Sequence, residues 1–423
     1  MENKQLANDK FEVSVFCLTY NHKDYIKDTL EGFLKQKTNF GFKVFVYDDA
    51  SNDGTSDILR FYKEQYPELF NIYISPKNTY GLPERYEIMQ KLYTENLHGK
   101  YIAVCEGDDC WLDSNKLQLQ IDFMKEHKDC VMTAHASLWM NCETAEAKEY
   151  HPYNEDRYLA AEDIIMQNNG NLSTASLVMV RDVFMRDDGF PKCDVDDFPW
   201  QLNALCKGKI YYFNKVMSLY RYMHDGAWSK NTNDSIIKLV GHRMNMIRFL
   251  LKYDKYSCYR FKKYIEIKIA FYFYGVIEKS LENNINEVQS KRIYSMIEND
   301  YKNIAEEFYR IIKWFAGEYN LTNEDRIFIK QFKKIYIMGC GKYSRYIKKC
   351  LDNNQIHYDG YVVSQKEEKG QNIFSLSDYP YDKKATLIIV GIGQKYKLEI
   401  LQALKDNNFE NVIYPLWIRF DQI

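Results

Sequence analysis

Positive charge is not in excess in this chain: 57 Lys and Arg stand against 59 Asp and Glu over 423 residues, for a formal net charge of -2. No overall field of that kind draws in a phosphate backbone, so nucleic acid is excluded as the expected partner. Met1 to Lys10 lacks the apolar core of a secretory signal, which gives a cytoplasmic expectation. No uninterrupted apolar run approaches the ~18 residues that span a bilayer. The nearest, Ile269 to Ile277, is short and aromatic. Ten cysteines occur without a CxxC pair, and Cys17 and Cys105 fall inside apolar strand-like runs. Reduced core thiols are expected there, not disulfides or zinc ligands. Short-period repeats and low-complexity tracts are also missing, which excludes solenoids and linker-dominated architectures.

What is present is an ordinary globular composition, 46% hydrophobic and 27% charged, on a chain long enough for two or three domains. Val13 to Leu18 is nearly continuous in apolarity, which suits a strand buried on both faces. Tyr25, Ile26, Thr29, Leu30, Phe33 and Leu34 then recur at helical spacing and predict an amphipathic helix against the sheet. Further strands are predicted at Val44–Tyr47, Asn71–Ser75 and Lys100–Cys105. The second runs into Asp48-Asp49 and the fourth into Glu106-Gly107-Asp108-Asp109, so both acidic clusters fall at strand ends. In a parallel α/β sheet the carboxyl edge is where ligands bind.

Glu106 and Asp108 project the same way if the strand geometry continues, since strand side chains alternate with period two. With Asp109 they make a candidate seat for a hard divalent cation, Mn²⁺ or Mg²⁺, of the kind that neutralises a diphosphate. Acidic turns after strands are common. Two of them on one sheet are less so, because clustering like charges is costly without a ligand or cation.

Three segments, Val13 to Asn21 (VSVFCLTYN), Tyr47 to Thr55 (YDDASNDGT) and Glu106 to Trp111 (EGDDCW), together resemble the successive motifs of glycosyltransferase family 2. The resemblance covers roughly residues 11 to 230. It implies a GT-A fold, an inverting mechanism and a metal-bound nucleotide diphosphate sugar as donor. Carried over by position, it makes Thr19, Asn21, Asp48 and Asp49 candidates for the nucleoside pocket, with Asp108 and Asp109 near ribose, diphosphate and metal. Glu106 stands where many relatives carry Asp, so Asp108 or Asp109 is the better ligand. The resemblance also implies a base in the run Asp194 to Trp200, with Asp197 the choice and Asp196 the reserve. Read alone, that run is equally a solvated loop of helix-capping acids. Arg85 is a candidate for the donor phosphates, and Tyr220 to His224 for further cationic or ligand groups, with His224 as a metal ligand. Trp111 either stacks on a sugar face or fills the core.

Asn231 to Phe332 is rich in Tyr, Ile, Lys and Glu with almost no Gly or Pro, which predicts long helices. From Lys334 a new α/β unit begins: a strand at Ile335–Met338, the turn Gly339-Cys340-Gly341, and a helix from Ser344. The third position of the dinucleotide fingerprint is Ser344 and no acidic ribose contact can be placed, so a Rossmann-like accessory module without redox chemistry is expected. The expected organisation is therefore α/β: a GT-A domain over 1–230, a helical middle segment over 231–333, and a small Rossmann-like domain over 334–423. The expected acceptor is a saccharide or lipid-linked saccharide of surface polysaccharide assembly, with peripheral membrane contact through the Lys- and Tyr-rich helices. Two alternatives stay open. A nucleotidyltransferase would place a glycine-rich phosphate loop after strand one, where this chain has Thr19-Tyr20-Asn21-His22-Lys23. A non-catalytic nucleotide-sugar module would bind without turnover.

Overall fold

A computed structural model describes residues 11–166, 172–193, 195–223, 236–282, 295, 306, 310, 319–363, 372–392 and 396–415. By packing the chain divides into two units, Met1–Ser235 with Phe249–Tyr264, and Ile236–Arg248 with Ile265–Ile423.

The first unit is built on a mixed ten-stranded sheet: β1 (Val13–Thr19), β2 (Phe42–Asp48), β3 (Phe70–Ile74), β4 (Tyr101–Val104), β5 (Cys110–Trp111), β6 (Cys130–Asn141), β7 (Ala147–Tyr150), β8 (Arg157–Leu159), β9 (Val178–Val180) and β10 (Lys209–Tyr222). The strand order is β3-β2-β1-β4-β9-β6-β10-β5, with β7 beside β6 and β8 beside β10. β3, β2, β1 and β4 run parallel, and β9 is antiparallel to both β4 and β6. Val13, Val15 and Cys17 of β1 are fully buried. A strand flanked by parallel neighbours and covered on both faces must read as an apolar run, and this one does.

Helices α1 (Ile26–Leu34), α2 (Thr55–Gln65), α3 (Arg85–Asn96) and α4 (Lys116–Glu126) follow the strands. α1 buries Ile26, Thr29, Leu30, Gly32 and Phe33 at spacings of three and four, the apolar stripe expected of a helix laid on a sheet. Two five-residue helices, α5 (Ala161–Ile165) and α6 (Arg181–Met185), and the longer α7 (Asp197–Lys207) precede β10. The parallel run fixes where the acidic segments go: Asp48 closes β2 at the register position of Thr19 on β1, and Glu106 to Asp109 follow β4 at that same edge.

Within the middle segment, α8 (Ile236–Tyr256) and α9 (Lys262–Glu282) are long helices. In the first unit Phe190 packs on Phe249, Tyr253 and Tyr256, and the Tyr253 hydroxyl donates to the Leu202 carbonyl at 2.8 Å. In the second unit Arg243 lies 4.6 Å from the ring centre of Tyr272. Among the described residues no helix is long and apolar enough to cross a membrane.

The second unit carries α10 (Asn323–Lys330), α11 (Lys342–Asn353), α12 (Lys397–Asp406) and five parallel strands, β11 (Lys334–Met338), β12 (Gly360–Val363), β13 (Ile373–Ser375), β14 (Thr386–Val390) and β15 (Val412–Ile413). Their order, β13-β12-β11-β14-β15, is that of a doubly wound sheet. Gly339 leaves β11 at φ +93, a left-handed conformation that favours glycine. All ten cysteines are free thiols; Cys17 and Cys105 are buried, and burial raises both well above the ordinary thiol range.

Candidate active site

Two groups of carboxylates meet at the carboxyl edge of the first sheet, and they do different work. Asp48 and Asp49 are buried, and their own chain largely engages them. Asp48 accepts from the Ser51 amide at 3.1 Å, the Ser51 hydroxyl at 2.5 Å, and the Ser56 hydroxyl. Asp49 accepts from the Tyr47 hydroxyl, the Thr79 amide and hydroxyl, and Arg85 at 2.9 Å. Arg85 is thus ion-paired to Asp49, with its guanidinium 5.6 Å from the ring centre of Tyr80. Asn21 takes φ +56, receives the Asn52 amide on Oδ1 and donates its own amide to Ser51. These contacts tie the β1 and β2 loops into one polar network. Asp49 Oδ2, with a single partner among the described residues, keeps the capacity to accept from a ligand N–H.

The second group sits on the turn after β4. The Gly107 amide donates to the Leu18 carbonyl at 2.8 Å and the Asp109 amide to the Glu106 carbonyl at 3.1 Å, while the Thr29 hydroxyl reaches the carbonyls of Gly107 and Asp109. A Cβ on Gly107 would stand 2.5 Å from Thr19 Oγ1, so only glycine lets β1 pass this closely. Thr19 Oγ1 in turn lies 3.2 Å from His22 Nδ1, and His22 Nε2 lies 3.6 Å from Asp108 Oδ2. His22 is a site residue that motif reading missed; its position one residue after Asn21 in the same loop was the available signal.

Arg221 ties this turn to β10. Its amide donates to Asp109 Oδ1 at 2.9 Å, and its guanidinium donates to the Asp108 carbonyl at 2.8 Å and to Asp28 at 2.6 Å. The other carboxylate oxygen, Asp109 Oδ2, is buried and has no hydrogen-bond partner among the described residues. Burial first, then the neighbouring Asp108 and Glu106 charges, hold the Asp109 carboxyl well above the usual range. Glu106 is pushed up to about 8 by burial, then by Asp108, Asp197 and Asp196. Carboxyls raised by one another in this way are a place where a cation would be bound.

Asp196 and Asp197 reach the same cluster from the start of α7. Asp196 is gripped by Arg186 at 2.5 Å, a residue that sequence reading did not single out because nothing in its local pattern separates it from a surface cation. Among the described residues Asp197 has no such cation; burial and then Asp196 raise its carboxyl, against the lowering effect of backbone amides. The structure therefore brings Asp197 and Asp196 to Glu106, Asp108 and Asp109, with Asp196 held in an ion pair by Arg186.

Three expectations need correction or placing. Trp111 is 3% exposed, donates Nε1–H to the Ala175 carbonyl at 3.0 Å and packs edge-on against Phe33. It is a core side chain and presents no face to a donor. His224 and Asp194 lie outside the described residues. Among the described residues no three His, Cys, Asp or Glu side chains form a ready cage for a metal ion. The orphaned Asp109 Oδ2 nonetheless fits a cation that takes one or two carboxylates from the protein and the rest of its shell from substrate phosphates.

Residues 14–185 match the family model described as glycosyl transferase family 2. An uncharacterized protein of Mycobacterium tuberculosis (strain ATCC 25618 / H37Rv) is 29% identical over 224 residues, 52% of this chain and 62% of its own length. The putative teichuronic acid biosynthesis glycosyltransferase TuaG of Bacillus subtilis (strain 168) is 34% identical over 121 residues, 29% of this chain and 45% of its own. The UDP-Glc:alpha-D-GlcNAc-diphosphoundecaprenol beta-1,3-glucosyltransferase WfaP of Escherichia coli is 28% identical over 229 residues, 53% of this chain and 83% of its own. The chain thus spans less than two thirds of the length of the mycobacterial relative.

Proposed function

We propose, from the match of residues 14–185 to the family model described as glycosyl transferase family 2 and from the carboxylates at the edge of the first sheet, that the chain has a GT-A fold and moves a sugar from a nucleotide diphosphate sugar to a hydroxyl of a saccharide or lipid-linked acceptor, with inversion at the anomeric carbon. The observation that carries this reading is the buried, unpartnered Asp109 Oδ2 beside Glu106 and Asp108, with Asp197 at the same cluster. Four carboxylates gathered at one sheet edge are stable together only if a cation or protons join them.

In this reading Thr19, Asn21, Asp48, Asp49 and Arg85 hold the nucleoside. Asp109 is the principal metal ligand, supported by Asp108 and, through its longer arm, Glu106. A bound Mn²⁺ or Mg²⁺ supplies charge neutralisation for the departing nucleoside diphosphate. Asp197 takes the proton from the acceptor hydroxyl as its oxygen approaches the anomeric carbon. Asp196, held by Arg186, keeps its neighbour in place and adds negative potential that favours proton uptake there. Arg221 fixes the turn from below through the Asp108 carbonyl and Asp109 Oδ1. Surface polysaccharide assembly is the setting that the names of TuaG and WfaP support, and WfaP's name specifies a lipid-linked acceptor. Such an acceptor would bring the chain to the inner face of the cell membrane.

Calorimetric titration of UDP and GDP with Mn²⁺ or Mg²⁺, on the wild type and Asp109→Ala, tests the reading. One diphosphate is expected to bind only with the cation and to lose that binding in the variant. If neither binds in any condition, the acidic turns are structural and the reading fails.

A further inference from the structure

β6 and β10 run parallel past the acidic turn and carry an aromatic cluster that the transfer just described leaves unused. Trp139 stands at the register position of Tyr220. Its ring centre is 4.3 Å from that of Tyr150 on β7, 5.1 Å from Tyr220 and 6.1 Å from Tyr222. Tyr220 and Tyr222 stack with their planes 13° apart. Residues two apart on a strand share a face, so these two rings lie together while Arg221 between them turns the other way, to Asp28.

All four rings are half-buried, in contrast to the core Trp111. The Trp139 indole nitrogen is buried and has no hydrogen-bond partner among the described residues. A buried indole N–H ordinarily finds an acceptor, and leaving it unmet is costly. An aromatic surface with an unmet donor suits a ligand that offers both an apolar face and hydroxyl oxygens, which is the chemistry of a pyranose ring. The cluster is also in the right place. The Arg221 amide, on the residue between the two tyrosines, is bonded to Asp109 itself at 2.9 Å. The proposed nucleoside-binding residues lie on the β1–β2 side of the acidic turn and β6 and β10 on the other, so the carboxylates stand between the two.

We propose that Trp139, Tyr150, Tyr220 and Tyr222 form an acceptor subsite that stacks against a pyranose ring of the saccharide receiving the sugar. The inference rests on the transferase reading of the carboxylates. Its occupant is a saccharide ring; a lipid tail would leave the indole N–H unmet.

The test uses the full chain with Mn²⁺ and the nucleoside diphosphate, titrated with the methyl glycosides of glucose, galactose, N-acetylglucosamine and rhamnose and followed by saturation-transfer NMR. At least one glycoside is expected to bind, with saturation strongest on the ring C–H protons. Trp139→Ala is expected to weaken that binding by about tenfold or more and Trp139→Phe by no more than about threefold. Nucleoside diphosphate affinity serves as the check that each variant is folded. Glycoside binding that Trp139→Ala leaves unchanged overturns the subsite, as does a wild type that binds the nucleotide and none of the four glycosides. A wild type that binds no nucleoside diphosphate overturns the transferase reading instead, and the subsite with it.

Discussion

Arg186 holds Asp196 at 2.5 Å from a side chain that is 1% exposed, while that of Asp196 is 36% exposed. The two partners are therefore not equivalent when deleted. Asp196→Asn leaves a buried guanidinium whose Nε and Nη1 already have no partner among the described residues, and the expected loss of stability is about 3–5 kcal/mol. Arg186→Met removes the buried charge and leaves a carboxylate that water can reach, so the expected loss is smaller, about 1–2 kcal/mol. Urea unfolding of both variants decides; equal losses would contradict the asymmetry.

The same pairing separates the two candidate bases. Asp197→Asn is expected to lower kcat by about 10²–10⁴ while leaving nucleoside diphosphate affinity nearly unchanged. Asp196→Asn, assayed on its folded fraction, is expected to keep most of its turnover. A larger kcat loss in Asp196→Asn than in Asp197→Asn would reverse the assignment.

Gly107 is the point where β1 and the acidic turn touch. In Gly107→Ala the new methyl would stand 2.5 Å from Thr19 Oγ1 and 3.0 Å from His22 Nδ1, so Thr19 and His22 must move and Asp108 loses its neighbour. Overpacking of this kind costs about 1–3 kcal/mol. The expected readout is a loss of Mn²⁺-dependent nucleotide binding of about tenfold or more. Unchanged cation-dependent binding would show that the His22–Asp108 contact does not matter.

Lys116 is fully buried, donates to Gln120 Oε1 at 2.8 Å, lies over the Trp111 ring, and is pushed down to about 7 by burial. Buried Cys105 and His135 are the titratable groups beside it. Between pH about 7 and the unfolded lysine value near 10.5 the unfolded chain binds the extra proton. This side chain therefore adds stability as pH rises, by up to about 1.4 kcal/mol per pH unit. Lys116→Met lacks that dependence. The stability difference, variant minus wild type, is expected to be largest below pH about 7 and to shrink steadily above it. A difference independent of pH would mean that the lysine is charged in the folded chain.

Much of the first sheet was legible because fully buried parallel strands leave little choice of residue. Val13–Leu18 and Val44–Tyr47 lie within the observed β1 and β2, and the acidic segments after β2 and β4 fall at one edge as the strand directions require. The direction in which a residue points after its strand ends was not legible. Trp111 follows the acidic turn, but β5 pairs with β10 and turns its ring into the core. Asp48 and Asp49 read as candidates for the nucleoside pocket, and their engagement by Ser51, Ser56, Thr79 and Arg85 was not legible because such hydroxyl and guanidinium partners carry no pattern in the sequence. Trp139 and Tyr220 meet only through β6–β10 pairing, a contact between segments some eighty residues apart. Arg186, at φ +56 at the end of a five-residue helix, likewise gave no local signal.

The most direct test of the central claim is turnover of a panel of UDP-, GDP- and dTDP-sugars, followed as nucleoside diphosphate release with and without Mn²⁺, on the wild type and Asp109→Asn, with the product anomer read by NMR. The account predicts that one donor is consumed only with the cation, that the anomeric configuration inverts, and that Asp109→Asn abolishes the reaction. Turnover that persists in Asp109→Asn, or a retained anomeric configuration, would contradict it.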